Sequence, residues 1–308
     1  MNYQEFEINL KNKLISGTGP KMLMKILDAP FRYDSLLTPF NLNLKMEQGF
    51  LRSQENKYYS FIKELCNYFF LNNQFDSLEN KYTFIKKEEN SETKELVFTE
   101  IKINFDYVYA KNNEIIVIRQ KKRDIFSKKE ILKIVDKFFN DLENFAQNNS
   151  EVKIKGYLWF VDNEYQRNLD ILQEKFKFGL KNNYEANFAY SANLFAYLNN
   201  EDYWLEVERN LEKFKKNNYD DFLKLPNLDS DKETLEFMTK MSNKLWEKLT
   251  SPEEIYMKIR SLIFNLENPQ SNFFKAIKLR EIANQASDED ELKNKLIEYG
   301  QSENNYEK

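Results

Sequence analysis

The sequence predicts an α/β protein: a mixed central sheet flanked by helices, followed by a helical C-terminal region. Three observations predict it. The apolar period changes from helical to alternating near Leu96. Two runs, Ile115–Ile118 and Val152–Val161, are apolar enough to be buried strands. A capped helical stripe, Ser127–Phe145, lies between those two runs. The order strand–strand–helix–strand, set among helices, is that of an α/β core.

Residues 1–50 read as short helices and turns, punctuated by Gly17, Gly19, Pro20, Pro30 and Pro39. From Glu55 to Phe70 a helix sets Tyr58, Phe61, Ile62, Leu65 and Phe69 on one stripe. Ile101, Ile103, Phe105, Tyr107 and Tyr109 then alternate with Lys102, Asn104, Asp106 and Val108, as in one strand with a wet face. A polar turn at Lys111–Asn113 leads into the buried strand, which ends in Arg119-Gln120-Lys121-Lys122-Arg123-Asp124. Ser127 and Glu130 form an S-x-x-E capping box, and Ile131, Ile134, Val135, Phe138, Leu142 and Phe145 give the stripe of the helix it opens. After the strand at 152–161 the chain reads as mostly helical from about Leu169, with breaks near Asn199, Pro226, Pro252 and Pro269. The expected division is a core with N-terminal helices over 1–170 and a mostly helical region over 171–308.

Composition narrows the function. With 41% hydrophobic and 31% charged residues in 308, the chain is a folded globular protein with enough length for a real core. No apolar run approaches the ~18 residues a membrane span needs. The start, MNYQEFEINL, carries acids where a signal peptide carries bases. Cys66 is the single cysteine, which rules out an internal disulfide and fits a reducing, cytoplasmic setting. The absence of histidine excludes Ser-His-Asp and Cys-His catalysis, HNH-type nucleases and histidine-ligated zinc. Any chemistry must then come from carboxylates, lysines, amides, hydroxyls or a metal held through oxygen. The net charge of −4 excludes a basic nucleic-acid coat, so positive charge matters only where it is concentrated. Gly17-Thr18-Gly19-Pro20-Lys21 lacks the spacing of a phosphate loop, and no strand precedes it.

One constellation carries chemistry. Metal-dependent phosphodiester cleavage needs carboxylates to hold Mg²⁺ on the scissile phosphate and a lysine to steady developing charge. A common solution puts an Asp on one strand and an acid-x-Lys pair on its hairpin partner, the spacing placing both side chains on one face. Asp106 stands on the first strand here, and the hairpin partner ends in Arg119-Gln120-Lys121-Lys122.

This segment resembles the PD-(D/E)XK nuclease superfamily, and within it a set of type II restriction enzymes whose motif reads E-Q-K-x-R-D followed by a basic S/T-K-K stretch. Gln120, Lys121, Arg123, Asp124, Ser127, Lys128 and Lys129 match that pattern in order. Trp159-Phe160-Val161-Asp162 is similar to the W-F-I-D strand end of those enzymes. Lys45-Met46-Glu47-Gln48-Gly49-Phe50 and Ser53-Gln54-Glu55-Asn56 look like their K-x-E-Q-x-F and S-N-E elements. The resemblance covers residues 40–170. The chain departs from the pattern at Arg119, which stands where the metal-binding Glu is expected and cannot ligate Mg²⁺. Two registers stay open. In one, Asp106, Gln120 and Lys122 form a D…Q-x-K site; in the other, Asp106, Arg119 and Lys121 hold the catalytic positions and the site is crippled, so that Arg119→Glu restores it.

The resemblance implies Mg²⁺-dependent, site-specific cleavage of double-stranded DNA. Asp106, Gln120, Lys121 and Lys122 are its catalytic candidates, and Asp106 with Glu55 its candidate metal ligands. Arg119, Arg123, Lys128 and Lys129 are its candidate DNA contacts. A homodimer is the expected assembly for a palindromic site, and no membrane partner is expected. Two rival functions stand beside it. Arg119 favours a pseudo-nuclease subunit that binds DNA without cutting. The acidic balance and helical C-terminal region favour an interaction protein with no nucleic-acid role.

Overall fold

The structure, a computed structural model, describes residues 1–89, 96–181, 183–218 and 225–306. In chain order it contains α1 (Tyr3–Ile15), α2 (Thr18–Asp28), a 3₁₀ turn (Pro30–Arg32), α3 (Leu42–Asn72), β1 (Asp76–Ser77), β2 (Lys81–Glu89), β3 (Leu96–Asn104), β4 (Tyr107–Lys111), β5 (Glu114–Lys121) and α4 (Lys128–Gln147). There follow β6 (Lys153–Phe160), α5 (Leu169–Phe176), β7 (Tyr184–Tyr190), α6 (Asn193–Ala196), α7 (Glu201–Asn217), α8 (Lys232–Lys240), α9 (Asn243–Thr250), α10 (Glu254–Ile263), α11 (Asn272–Gln285) and α12 (Glu289–Tyr306). Two compact units result. One comprises Met1–Tyr3 and Ile62–Phe214, the other Gln4–Phe61 and Lys215–Lys308. Among the described residues no helix is long and apolar enough to cross a membrane.

The first unit is built on a five-stranded mixed sheet in the order β1-β4-β5-β6-β7. β4 and β5 form an antiparallel hairpin whose tip residue Asn112 takes a left-handed φ of 55°, a conformation Asn tolerates better than most side chains. β5, β6 and β7 run parallel, joined by crossovers through α4 and α5. Sheet alternation sends Val117, Leu158 and Phe160 to the face covered by α4, where Ile131, Val135, Phe138, Leu142 and Phe145 are all buried. On the opposite face Tyr109 stacks on Phe70 of α3 at 4.0 Å, and Trp159 meets Phe195 and Trp204.

The α/β expectation with helices on the sheet is met, and α4 begins at the capping box read from the sequence. Elements differ from the reading: α3 starts at Leu42 rather than Glu55, β2 occupies a stretch with no expected element, and two further differences bear on the sheet. The run 101–109 is two strands: β3 pairs with β2 in a separate two-stranded sheet, and β4 pairs with β5. The chain changes sheets at Phe105–Asp106, where the Phe105 N–H donates to Asn80 O and the Asp106 N–H to Ile118 O. Alternation of apolar residues continues through the break, so periodicity does not register it. Tyr184–Tyr190, inside the stretch read as helical, is the parallel edge strand β7. Its sequence, YEANFAY, holds three strand-favouring aromatics but no β-branched residue, and it is short and set among helical stretches.

The second unit is helical. Met22, Leu23, Ile26 and Leu27 of α2 share a core with Met238, Leu249, Ile259, Phe273 and Ala276. Arg280 closes the end of α8 by donating to the carbonyls of Met238, Thr239 and Met241, with its guanidinium 4.7 Å above the Trp246 ring.

Gly156 tests the sheet–helix packing. A Cβ there would lie 2.4 Å from Leu142 Cδ1, and Leu142 is fully buried. Gly156→Ala is therefore expected to lower stability by about 1–3 kcal/mol, the usual cost of overpacking a tight core. Urea unfolding measures it, and the smaller partner change Leu142→Val in the same chain should recover part of the loss.

Candidate functional site

The C-terminal ends of parallel strands are where open α/β sheets bind ligands. At that edge β5 ends in Lys121, β6 in Phe160 and β7 in Tyr190. Asp106 joins them because antiparallel pairing sets the start of β4 beside the end of β5, Tyr107 opposite Ile118.

Asp106 is half-buried and both of its oxygens are engaged. Oδ1 lies 3.2 Å from Lys63 Nζ, and Oδ2 accepts the Gln120 backbone N–H at 2.8 Å. The structure thus brings Asp106 and Gln120 together. It does so through the main chain of Gln120, since the side chain turns to the other face of the sheet. There Gln120 is 4% exposed, its Oε1 accepts from the Tyr107 hydroxyl, and its Nε2 is buried with no partner among the described residues.

Arg119 points to the α4 face. Its Nη2 donates to Asp141 Oδ2 and to Asn104 O, both at 2.7 Å, with the Phe105 and Phe138 rings 5.4 and 6.0 Å from the guanidinium. The side chain is 9% exposed and that of Asp141 7%. Arg119, grouped by the sequence reading with the DNA-contacting cations, is instead enclosed between β5 and α4. The acid that draws it inward, Asp141, lies one residue before Leu142 on the buried side of α4.

Lys121 shares the alternation face of Arg119 and is half-buried. Burial, and then the positive charge of Arg119, push its ammonium below the ordinary lysine range, while Asp106 pulls it back. Lys122 is exposed. Arg123 is largely exposed and its Nε donates to Asp162 Oδ2 at 2.7 Å. Asp162 is held below the usual carboxylate range: burial opposes this, but the Glu164 N–H and Arg123 outweigh it. Asp124 is fully buried, its carboxylate accepting from the Asn168 main chain, the Asn168 side chain and the Tyr190 hydroxyl. The R-D portion of the motif is therefore one exposed ion pair and one core knot.

Lys128 and Lys129 are exposed in the first turn of α4. The Glu130 carboxylate accepts from Ser127 N and Oγ, and those bonds hold it below the usual carboxylate range. That places a negative charge at the helix end where a phosphate would otherwise gain most. Glu55 is an exposed residue of α3 in the helical unit.

Sequence reasoning missed Lys63 and Asp141. Lys63 and Asn67 are half-buried polar residues one turn apart on α3, and Asn67 accepts from the Tyr109 hydroxyl at 3.0 Å. A polar i, i+4 pair beside an apolar stripe was the available signal. Cys66 is fully buried, and burial followed by the Asp106 charge raises its thiol, so it supplies no thiolate.

The donor set around Asp106 does not fit Mg²⁺, which needs oxygen ligands. Asp106 binds an ammonium and an amide N–H, and the acid-x-Lys positions hold Arg119 and Lys121. Among the described residues, Lys63 and Lys121 act on Asp106, while Arg119 and Lys137 are paired with Asp141. No protein-family model matches the chain, and no curated protein matches it in sequence.

Proposed function

We propose that this chain is a relative of the type II restriction endonucleases that holds duplex DNA at the C-terminal edge of its sheet without cutting it. The observation that carries the reading is the Asp106–Gln120 hydrogen bond, which joins an Asp and an x-x-Lys strand end on hairpin partners, while Arg119 is drawn away into the core. The first feature resembles the carboxylate–lysine corner of a nuclease; the second leaves it short of a metal-binding acid. Plasmid DNA incubated with the protein and Mg²⁺ should stay intact, while gel shift shows duplex bound ahead of single strands. Cutting, or a preference for single strands, counts against the reading.

A second reading, slow Mg²⁺-dependent cleavage, draws on the half-buried Lys121 with its depressed ammonium. It requires nicking that Lys121→Ala abolishes.

Lys121→Met separates a site residue from a structural one. The ammonium's pKa is lowered in the fold from 10.5, so its charged form costs stability at neutral pH. That cost fades as pH rises through the folded value toward the unfolded one, because the unfolded chain then binds more protons. Lys121→Met is expected to keep or raise the thermal midpoint at neutral pH, to remove the stability gain on going alkaline, and to weaken duplex binding. Scanning calorimetry at two pH values with binding isotherms checks all three.

A further inference from the structure

Asp106 is the carboxylate that a metal-dependent nuclease would place on Mg²⁺, yet the group that reaches it is the Lys63 ammonium at 3.2 Å. The contact is built rather than incidental. α3 carries Lys63 and Asn67 on one face, one turn apart, and both close on the β3–β4 region: Lys63 on Asp106 and Asn67 on the Tyr109 hydroxyl. The other Asp106 oxygen accepts the Gln120 N–H, so both oxygens face donors. The charges of Arg119 and Asp106 both act on Lys121, which shares the alternation face of Arg119. A divalent ion approaching Asp106 must displace Lys63 and lie near Lys121. Each ammonium about 4 Å from a divalent ion disfavours it by about thirtyfold even at the dielectric of water.

We propose that Lys63 supplies the cation of this corner: its ammonium neutralises Asp106 from within the chain, so the corner grips a DNA phosphate through lysines and without a divalent metal. The phosphate part rests on the duplex-binding reading above, whereas the cation part does not. In this arrangement Lys63 does by a covalently attached charge what a diffusible ion does in a cutting enzyme, and binding carries no demand for metal.

The test uses the full chain and Mn²⁺, followed by the electron paramagnetic resonance of the free ion, with no DNA present. Wild type and Asp106→Asn should give the same weak titration. Lys63→Met should bind Mn²⁺ about tenfold or more tightly, because one repelling charge is gone, and Lys63→Met/Asp106→Asn should lose that gain. The Lys63 side chain is 41% exposed, so its removal opens no void, and Lys63→Gln serves as a second variant. Wild-type binding of Mn²⁺ that Asp106→Asn abolishes overturns the proposal, as does failure of both Lys63 variants to gain a site. A second arm measures duplex affinity in EDTA and in Mg²⁺ at matched ionic strength. Equal affinities are expected, and tightening by Mg²⁺ that Asp106→Asn removes overturns metal independence. Failure to bind duplex in either buffer would sink the DNA-binding reading and leave the Mn²⁺ result standing on its own.

Discussion

Asp141→Ala is expected to destabilise the protein by about 3–5 kcal/mol, the cost of stranding one member of a buried ion pair. Asp141 and Arg119 meet at 2.7 Å with side chains 7% and 9% exposed, and the other hydrogen bond from Nη2 goes to a neutral carbonyl, Asn104 O. Without Asp141 the guanidinium keeps two aromatic rings and that carbonyl, which do not offset its lost hydration. Lys137 also reaches Asp141, at 3.1 Å, but its side chain is 64% exposed and regains water. Arg119→Ala should cost a similar amount from the other side. Replacing both, as Arg119→Met/Asp141→Leu, should bring stability back near wild type, since a buried pair is often no better than apolar packing of like volume. Urea denaturation of the four proteins closes the cycle. The same geometry revises the expectation for Arg119→Glu. A glutamate there would face Asp141 across the helix contact, so it should destabilise the core and restore no cleavage.

Asp124→Ala should cost about 3–5 kcal/mol, because each buried donor left unpaired costs about 1–3 kcal/mol. The carboxylate accepts from Asn168 N at 2.7 Å, Asn168 Nδ2 at 2.6 Å and the Tyr190 hydroxyl at 2.8 Å. The Asn168 amide retains a bond to Phe126 O, so two donors are fully orphaned. These contacts tie the segment after β5 to the start of α5 and the end of β7. Burial, then the hydrogen bond to Asp124, push the Tyr190 hydroxyl above its ordinary range. In Asp124→Ala the second cause is gone, and the Tyr190 hydroxyl should titrate lower in a spectrophotometric pH scan. Asp124→Asn keeps one acceptor oxygen and should lose about half as much stability. An Asp124→Ala protein as stable as wild type would show that the knot does not hold the sheet edge together.

What the sequence discloses depends on whether a residue's role is local. The start of α4 was legible because Ser127 and Glu130 satisfy each other within one turn. β5 and β6 were legible because their side chains are buried on both faces and leave continuous apolar runs. The break at Phe105–Asp106 was not, since a strand that changes partner keeps its alternation. The site divides in the same way. Asp106 and the Arg119–Lys122 run are near in sequence and their meeting follows from a hairpin. The direction of Arg119 depended on Asp141, 22 residues on, and the partner of Asp106 depended on Lys63, 43 residues back. Neither spacing carries a pattern that a single sequence displays.

The claim that duplex DNA is held at the Asp106–Lys121 corner is tested most directly by the salt dependence of its binding. Fluorescence anisotropy of a labelled duplex, in EDTA and across a range of salt, gives the slope of log affinity against log salt for wild type and for Lys121→Met. Each phosphate neutralised contributes about −0.9 to that slope. Wild type should bind with a steep negative slope, and Lys121→Met should bind more weakly with a slope shallower by about one phosphate. Duplex binding that is absent, or a slope unchanged by Lys121→Met in a protein of unaltered stability, would contradict the account.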